Sequence, residues 1–473
     1  MEKLMRRSLF MAFFLLLSGC LMVPKYDLPN AFDSAECNLS AEEEGDLAFG
    51  DWPKKGWWEE FQDPTLTFLI ETAIQDSPDL KSTKAKWNLA MQLELQKRAA
   101  LFPEIDFDAN TNYEHFSKYG MFRGLFPTFP AVLDDTTLGL SFNYEVDFWG
   151  RNRDLFEAAV GRAAAVEAEI KQSELMLSTA IAYTYSDLQF FLRKKEILEQ
   201  IEGAKKELLC MRENRVDFGI DPSLEPLAAK SILLDTAAEL KKTEKEISLR
   251  LHQLKLLAGL TQDQELSISH HPLHVLSVNL PENLSVGLLA QRPDLAAQKY
   301  RMVAAAKEIG AARSNFYPKF NLMAFLGLES IHWQDLFRLS SFDGSLFPAV
   351  SLPIFTAGRL KAELMEKVAA FDEAVQSYNQ LILQAAKEVL DHLSTISALS
   401  QEIEVRNASY ETASKLASIR ERRLEKAIDS KLLYLESKVF AFEKELLLAD
   451  LLYARQLAKI LLIRSLGGGW NES

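Results

Sequence analysis

Residues 138–148 read Leu-Gly-Leu-Ser-Phe-Asn-Tyr-Glu-Val-Asp-Phe. Leu138, Leu140, Phe142, Tyr144, Val146 and Phe148 alternate with Gly139, Ser141, Asn143, Glu145 and Asp147. Successive side chains of a strand point to opposite faces, so this spacing predicts a strand with one apolar and one polar side. The preceding segment repeats the pattern, with Ile105, Phe107, Ala109, Thr111 and Tyr113 set against Asp106, Asp108, Asn110, Asn112 and Glu114. Runs of ~10 residues of this kind are the signature of membrane β-barrel strands. The two segments form a candidate hairpin over 104–149.

The hairpin is written a second time. Phe320, Leu322, Ala324, Leu326 and Leu328 alternate, and so do Leu346, Pro348, Val350, Leu352 and Ile354, giving a second hairpin over 319–356. The duplication extends around both. Ser77-Pro78-Asp79-Leu80 returns as Arg292-Pro293-Asp294-Leu295, and Phe102-Pro103 as Tyr317-Pro318, at an offset of 215. Beyond the hairpins the offset is 208: Gly150-Arg151 matches Gly358-Arg359, Arg215 matches Arg423, and Ile220-Asp221 matches Ile428-Asp429. The difference falls inside the hairpins, whose turns tolerate length changes. The chain therefore divides into a first repeat, 64–260, a linker, 261–283, and a second repeat, 284–473.

Each repeat continues into long helices. Ile170, Leu177, Ile181, Leu188, Leu198, Ile201 and Leu208 recur at steps that place them on a narrow seam. Sixty residues of helix make a rod of roughly 90 Å. The helical hairpins span 154–258 and 359–466, with turns at Phe218-Gly219-Ile220-Asp221 and Lys426-Ala427-Ile428-Asp429.

Lys3, Arg6 and Arg7, the apolar run Leu9–Leu17 and the ending Leu17-Ser18-Gly19-Cys20 resemble a bacterial lipoprotein signal. Residues 1–19 are then a signal peptide, Cys20 carries lipid, and 20–63 is a lipidated N-terminal extension. Leu21, in place of an aspartate, favours the outer membrane. Cys37 and Cys210 read as two unrelated thiols, with a disulfide between them in an oxidising compartment as the alternative.

Composition excludes several classes. The chain has 473 residues and a formal net charge of −14, which a nucleic-acid backbone would repel. Mean hydropathy of −0.08 excludes a polytopic helical membrane protein. No phosphate loop or nucleophile elbow is present, so no catalytic residues and no cofactor are expected. His270, His271 and His274 lie in the linker and read as a solvated loop rather than a metal site.

Four strands cannot close a barrel, and open edges do not sit in lipid. Other copies must complete them: two chains of four strands would supply eight, three chains twelve. The residues leave that choice open.

Asp147-Phe148-Trp149-Gly150-Arg151, Arg292-Pro293-Asp294-Leu295, Phe316-Tyr317-Pro318 and Leu466-Gly467-Gly468-Gly469-Trp470 resemble the outer-membrane factors of tripartite efflux systems. The resemblance is to the lipidated, TolC-like branch that serves RND-type drug pumps. It implies a mixed α/β membrane protein: a homotrimer with a twelve-stranded β-barrel in the outer membrane and a long α-helical coiled-coil tunnel in the periplasm. It also implies a periplasmic adaptor and an inner-membrane RND-type pump as partners, and a conduit for drugs and toxic small molecules rather than an enzyme. Protein secretion through the same fold, or a non-conducting coiled-coil lipoprotein, are the alternatives.

On this reading Phe218, Gly219, Ile220, Lys426, Ala427 and Ile428 are adaptor-docking tips. Asp429, Leu433 and Glu436, spaced to share a helix face, form the periplasmic gate, with Arg422 and Arg423 available to offset the carboxylates. The family's second turn usually reads Val-Gly, where this chain has Lys426-Ala427. Asp106, Asp108, Glu114, Glu145, Asp147 and Glu329 line the lumen, which predicts a cation-preferring pore.

Overall fold

The computed structural model describes residues 23–31, 38–39, 52–266, 268, 270, 276, 284–285 and 291–470. Cys20, expected to carry lipid, and Cys37, His271 and His274 lie outside the described residues. The chain divides into two units, one drawn from 1–31, 87–165 and 298–377, the other from 32–86, 166–297 and 378–473. In chain order the main elements are helices α1 (Pro64–Asp76) and α2 (Pro78–Ala99), strands β1 (Glu104–His115) and β2 (Val132–Val146), and helices α3 (Arg151–Asp217) and α4 (Leu224–Leu257). There follow α5 (Pro293–Ser314), β3 (Lys319–Ser330), β4 (Phe342–Ser351), α6 (Arg359–Glu425) and α7 (Lys431–Ser465). A two-residue strand pair joins Asn38–Leu39 to Leu284–Ser285.

The first unit holds a four-stranded sheet in the order β1-β2-β3-β4, antiparallel throughout. Two stretches that resemblance singled out meet where the hairpins join. Trp149 Nε1 donates to the Pro318 carbonyl at 2.8 Å, and its ring stacks on Tyr317 with centroids 4.7 Å apart. Arg151 Nε donates to Asn315 Oδ1 at 3.0 Å, and Ser314 Oγ donates to the Trp149 carbonyl at 3.0 Å. These contacts hold the end of the first hairpin to the start of the second, which fixes how β2 meets β3. A small core of Ile309, Ala312, Leu364 and Val368 packs behind them.

The strands differ from the sequence pattern at one end. Leu352 and Ile354 extend the alternation, yet β4 stops at Ser351. Pro353 has no N–H to donate to a ladder and restricts the residue before it, so Ile354 lies outside the strand.

The second unit is helical around one large core. Leu66, Leu69 and Ile70 of α1, Ile181 and Leu188 of α3, Val389 and Ile396 of α6 and Ile460, Leu462 and Ile463 of α7 are buried together. Ile181 and Val389, and Leu188 and Ile396, are repeat equivalents at the 208 offset, so the duplication reaches the packing. Asp63 starts α1: its Oδ1 accepts from the Thr65 and Leu66 N–H groups at 2.8 and 3.2 Å, and its Oδ2 accepts from the Tyr185 hydroxyl at 2.6 Å. Burial and this bond push the Tyr185 hydroxyl far above its ordinary pKa. A second cluster, Ile197, Leu198, Ile201, Leu435 and Val439, continues the seam toward the turns.

The helical hairpins end in a duplicated junction. Gly259 (φ 72°) sits against the backbone of Asp76 and Ser77, and its equivalent Gly467 (φ 85°) against that of Gln291 and Arg292. Each glycine therefore seats the end of a hairpin on the start of a Pro-Asp-Leu helix, whose Leu80 or Leu295 is buried. Only the second repeat extends this to a triplet. Gly468 and Gly469 also have positive φ, and side chains there would collide with Leu175 and with the backbone of Pro53 and Lys54. That is the physical content of the Gly-Gly-Gly-Trp ending.

Candidate channel face and hairpin tips

The register of the sheet decides which side chains share a face. Ile105 pairs with Phe142, Phe107 with Leu140, and Leu140 in turn with Leu326. Leu326 and Leu322 lie opposite Gly344 and Pro348. One face is therefore largely apolar across all four strands, with Asp134 opposite Tyr113 as its acid, and within one chain Phe107, Leu326 and Leu346 are more than half exposed. The opposite face gathers the acids. Asp106 lies opposite Ser141, Asp108 opposite Gly139, Glu145 opposite Asn321 and Thr137 opposite Glu329. Glu114 is on the same face, opposite Leu133.

The register adds three acids that alternation alone did not single out: Glu104 opposite Asn143, Asp135 opposite Asn112, and Asp343 opposite Gly327. Lys319 is the lysine on this face, opposite Ser351. The face is not purely polar, since Met323 and Phe347 pair across it. Glu145 is partly offset by Arg151, 3.8 Å away. Asp147 departs from the expected set. It lies beyond β2, and its Oδ2 accepts from the Arg153 N–H at 2.9 Å. A carboxylate there satisfies an orphan donor in the first turn of α3, so Asp147 starts a helix rather than facing outward with the strand acids.

The two tips are built alike. The Ile220 and Ile428 N–H groups donate to the Arg215 and Arg423 carbonyls, each at 2.8 Å. The residue before each is left-handed: Gly219 at φ 68° and Ala427 at φ 53°. This is a Schellman-type closure with glycine in the first repeat and alanine in the second. The Lys426-Ala427 departure therefore leaves the backbone path unchanged. Phe218, Ile220 and Ile428 are exposed at these turns, as is Lys426.

The three residues expected at a gate fall differently from their spacing. Asp429 is not on the helix. Ser430 is the N-cap, with extended backbone and its Oγ accepting from the Leu433 N–H at 3.3 Å, and α7 begins at Lys431. Helical periodicity starts after the cap, so Leu433 and Glu436 share a face without Asp429. Asp429 Oδ2 instead accepts from Arg423 Nε at 2.9 Å. Its repeat equivalent Asp221 accepts two bonds from Arg215, both at 2.8 Å, which hold its carboxyl below the usual range. Arg422 turns to its own helix, donating to the Ser418 carbonyl.

Glu436 reaches across to the first hairpin, where Arg212 Nη2 lies 3.3 Å from its Oε1. Arg212 also lies 3.4 Å from Asp221 and 3.3 Å from Glu225. Its repeat equivalent Arg420 donates to the Leu433 carbonyl at 2.6 Å. Arg212, unmarked beyond its place in the repeat, thus ties the start of α7 to the first helical hairpin, alongside Glu207, which lies 3.0 Å from Lys431.

Cys210 is a free, exposed thiol on α3. His270, the histidine of that linker among the described residues, is half-buried. Its Nδ1 lies 3.6 Å from Glu196, and it lines a cavity of about 470 Å³ with Phe190, Tyr453, Arg193 and Glu445. Among the described residues no group of His, Cys, Asp and Glu could hold a metal ion, and no helix is long and apolar enough to cross a membrane.

Known proteins share this architecture. Residues 69–260 and 284–468 match the family model described as outer membrane efflux protein. The chain is 27% identical over 462 residues to the multidrug resistance outer membrane protein MdtP of Escherichia coli K12, covering 96% of this chain and 94% of that one. It is 29% identical over 437 residues to MdtQ of Escherichia coli O157:H7, covering 89% of each. The outer membrane protein VceC of Vibrio cholerae superposes with a TM-score of 0.80 at 30% identity, covering 89% of this chain and 100% of that one.

Proposed function

The chain belongs to the outer membrane efflux protein family, and from that premise we propose that it is the outer-membrane channel of a tripartite efflux pump. One observation carries the reading. The four strands present one largely apolar face, one acid-rich face and two edges without partners among the described strands. In lipid every backbone polar group needs a partner, so such a sheet is complete only when its edges pair with further copies. Three copies would close a twelve-stranded barrel, within the size range of outer-membrane barrels. The apolar face then meets lipid and the acids meet the lumen.

The relatives named for multidrug resistance support drugs and toxic small molecules as cargo. Cys20 would tether each copy by lipid, and the exposed tips 218–220 and 426–428 would receive a periplasmic adaptor that links the channel to an RND-type pump. At the gate, Asp429 and Glu436 from symmetric copies would approach the axis. Arg423 and Arg212 offset those carboxylates within each chain. Opening then requires the two hairpins to part at the Arg212–Glu436 contact.

The test is conductance in a planar bilayer. The purified trimer should give discrete steps, and Asp429→Ala with Glu436→Ala should raise them. A folded trimer that never conducts would refute the channel reading.

A further inference from the structure

The turns of both strand hairpins lie at one end of the sheet. β2 and β3 are antiparallel neighbours, and Thr136, near the start of β2, pairs with Ser330, the last residue of β3. The first of these turns, residues 116–131, differs in character from the rest of the chain. It carries Lys118 and Arg123 and no acid, in a protein of net charge −14.

The turn is folded. The Phe116 N–H donates to the Ala131 carbonyl at 2.8 Å. The rings of Phe116, Phe122 and Phe129 pack with centroids 5.1 to 5.5 Å apart. Arg123 Nη1 donates to the Phe116 carbonyl at 3.2 Å and so belongs to this internal structure. With its own core made, the turn still directs a second apolar set outward. Tyr119 is 90% exposed, Met121 73%, Leu125 69% and Phe126 61%. Met121 and Leu125 are four apart on the one-turn helix Met121–Leu125, which places them on one side of it.

Height identifies the partner. The β1–β2 ladder pairs Glu104 through His115. Twelve residues rising ~3.3 Å each, tilted by ~40°, cover about 30 Å, slightly more than an apolar band of about 25 Å. The 116–131 turn therefore begins where the band ends, beyond the last pairs Tyr113–Asp134 and His115–Val132 on that face of the ladder. Concentrated apolar exposure of this kind marks an interaction surface. The cation beside it, Lys118, whose ammonium lies 6.0 Å from the centre of the Tyr119 ring, suits the phosphates of anionic lipid.

We propose that residues 116–131 form an interfacial anchor, with Met121, Leu125 and Phe126 seated in the outer boundary of the bilayer and Lys118 on anionic lipid phosphates. The proposal rests on the reading of the strands as membrane-spanning. The competing occupant is the same turn of neighbouring copies, folded over the mouth of the pore.

Nitroxide labels separate the two. The full chain, with Cys37→Ser and Cys210→Ser and with Cys20 retained, is labelled at Met121→Cys, Leu125→Cys or Leu140→Cys. Each is reconstituted in vesicles of phosphatidylethanolamine and phosphatidylglycerol. Collision of the label with oxygen reports lipid, and collision with a polar nickel chelate reports water. At 121 and 125 oxygen should dominate several-fold, as at 140, and adding Lys118→Gln should bring the label at 121 closer to water. Nickel dominance at 121 and 125, or protection from both reagents, overturns the anchor while oxygen dominance at 140 leaves the barrel reading intact. Water exposure at 140 overturns the barrel reading itself. A depth at 121 that ignores Lys118→Gln overturns the role of the lysine.

Discussion

Ala427 holds a left-handed backbone, φ 53°, where its repeat equivalent Gly219 holds φ 68°. For an L-residue this conformation costs roughly 1–2 kcal/mol, because Cβ crowds the following carbonyl. Replacing Ala427 with glycine removes that strain and adds back ~0.5–1 kcal/mol of unfolded-chain entropy. The net expectation is a tip more stable by about 0.5–1 kcal/mol. The reciprocal change, Gly219→Ala, should cost a similar amount. Beyond its chain neighbours a Cβ at Gly219 would meet nothing within 4 Å, so the penalty there comes from the local backbone and not from packing against other residues. Amide hydrogen exchange of the detergent-solubilised protein reads local opening at each tip. Protection around Ile428 should rise about two- to fivefold in Ala427→Gly, and protection around Ile220 should fall comparably in Gly219→Ala. Unchanged exchange in both, or a looser tip in Ala427→Gly, would refute the equivalence of the turns.

The other predictions concern charge. Arg292 is buried, with Asp294 at 2.7 Å, Glu388 at 3.1 Å and the Ser465 carbonyl at 3.0 Å; Arg292→Ala should cost about 3 kcal/mol, measured as lost thermal stability, because two carboxylates lose their partner. Burial, and then Arg464, push the His392 pKa below its ordinary value. Its contribution to stability is present above the unfolded pKa of about 6.5 and is lost as pH falls through the depressed value, so His392→Gln should flatten the melting temperature between pH 7 and pH 5. Asp106→Asn with Asp108→Asn should shift the reversal potential in a salt gradient toward anions, whereas Glu145→Gln should shift it least, since Arg151 already lies 3.8 Å from Glu145.

Much of the architecture was legible because its causes are local. The alternation at 138–146 is a strand in the structure, and the seam residues Ile181, Leu188, Leu198 and Ile201 are buried. The candidate site was less legible. Asp147 and Glu145 stand two apart and look equivalent in sequence. One caps α3 and the other sits in the strand, because β2 ends at Val146. Asp429 looks like the first member of a helical stripe until Ser430 takes the cap. Arg212 carried no local mark of its partner Glu436, which is distant in the chain and reaches it only when the hairpins pack.

The sequence by itself determined the elements, their duplication and the two faces of each strand. Periods of 2 and 3.6 residues are imposed by the backbone within each segment. Tertiary structure alone decided that the apolar faces of the two hairpins coincide. That depends on Leu140 lying opposite Leu326, a register set by the contacts of Trp149 and Arg151 with Pro318 and Asn315. A slip of one residue would have turned the acids of one hairpin to the apolar side of the other.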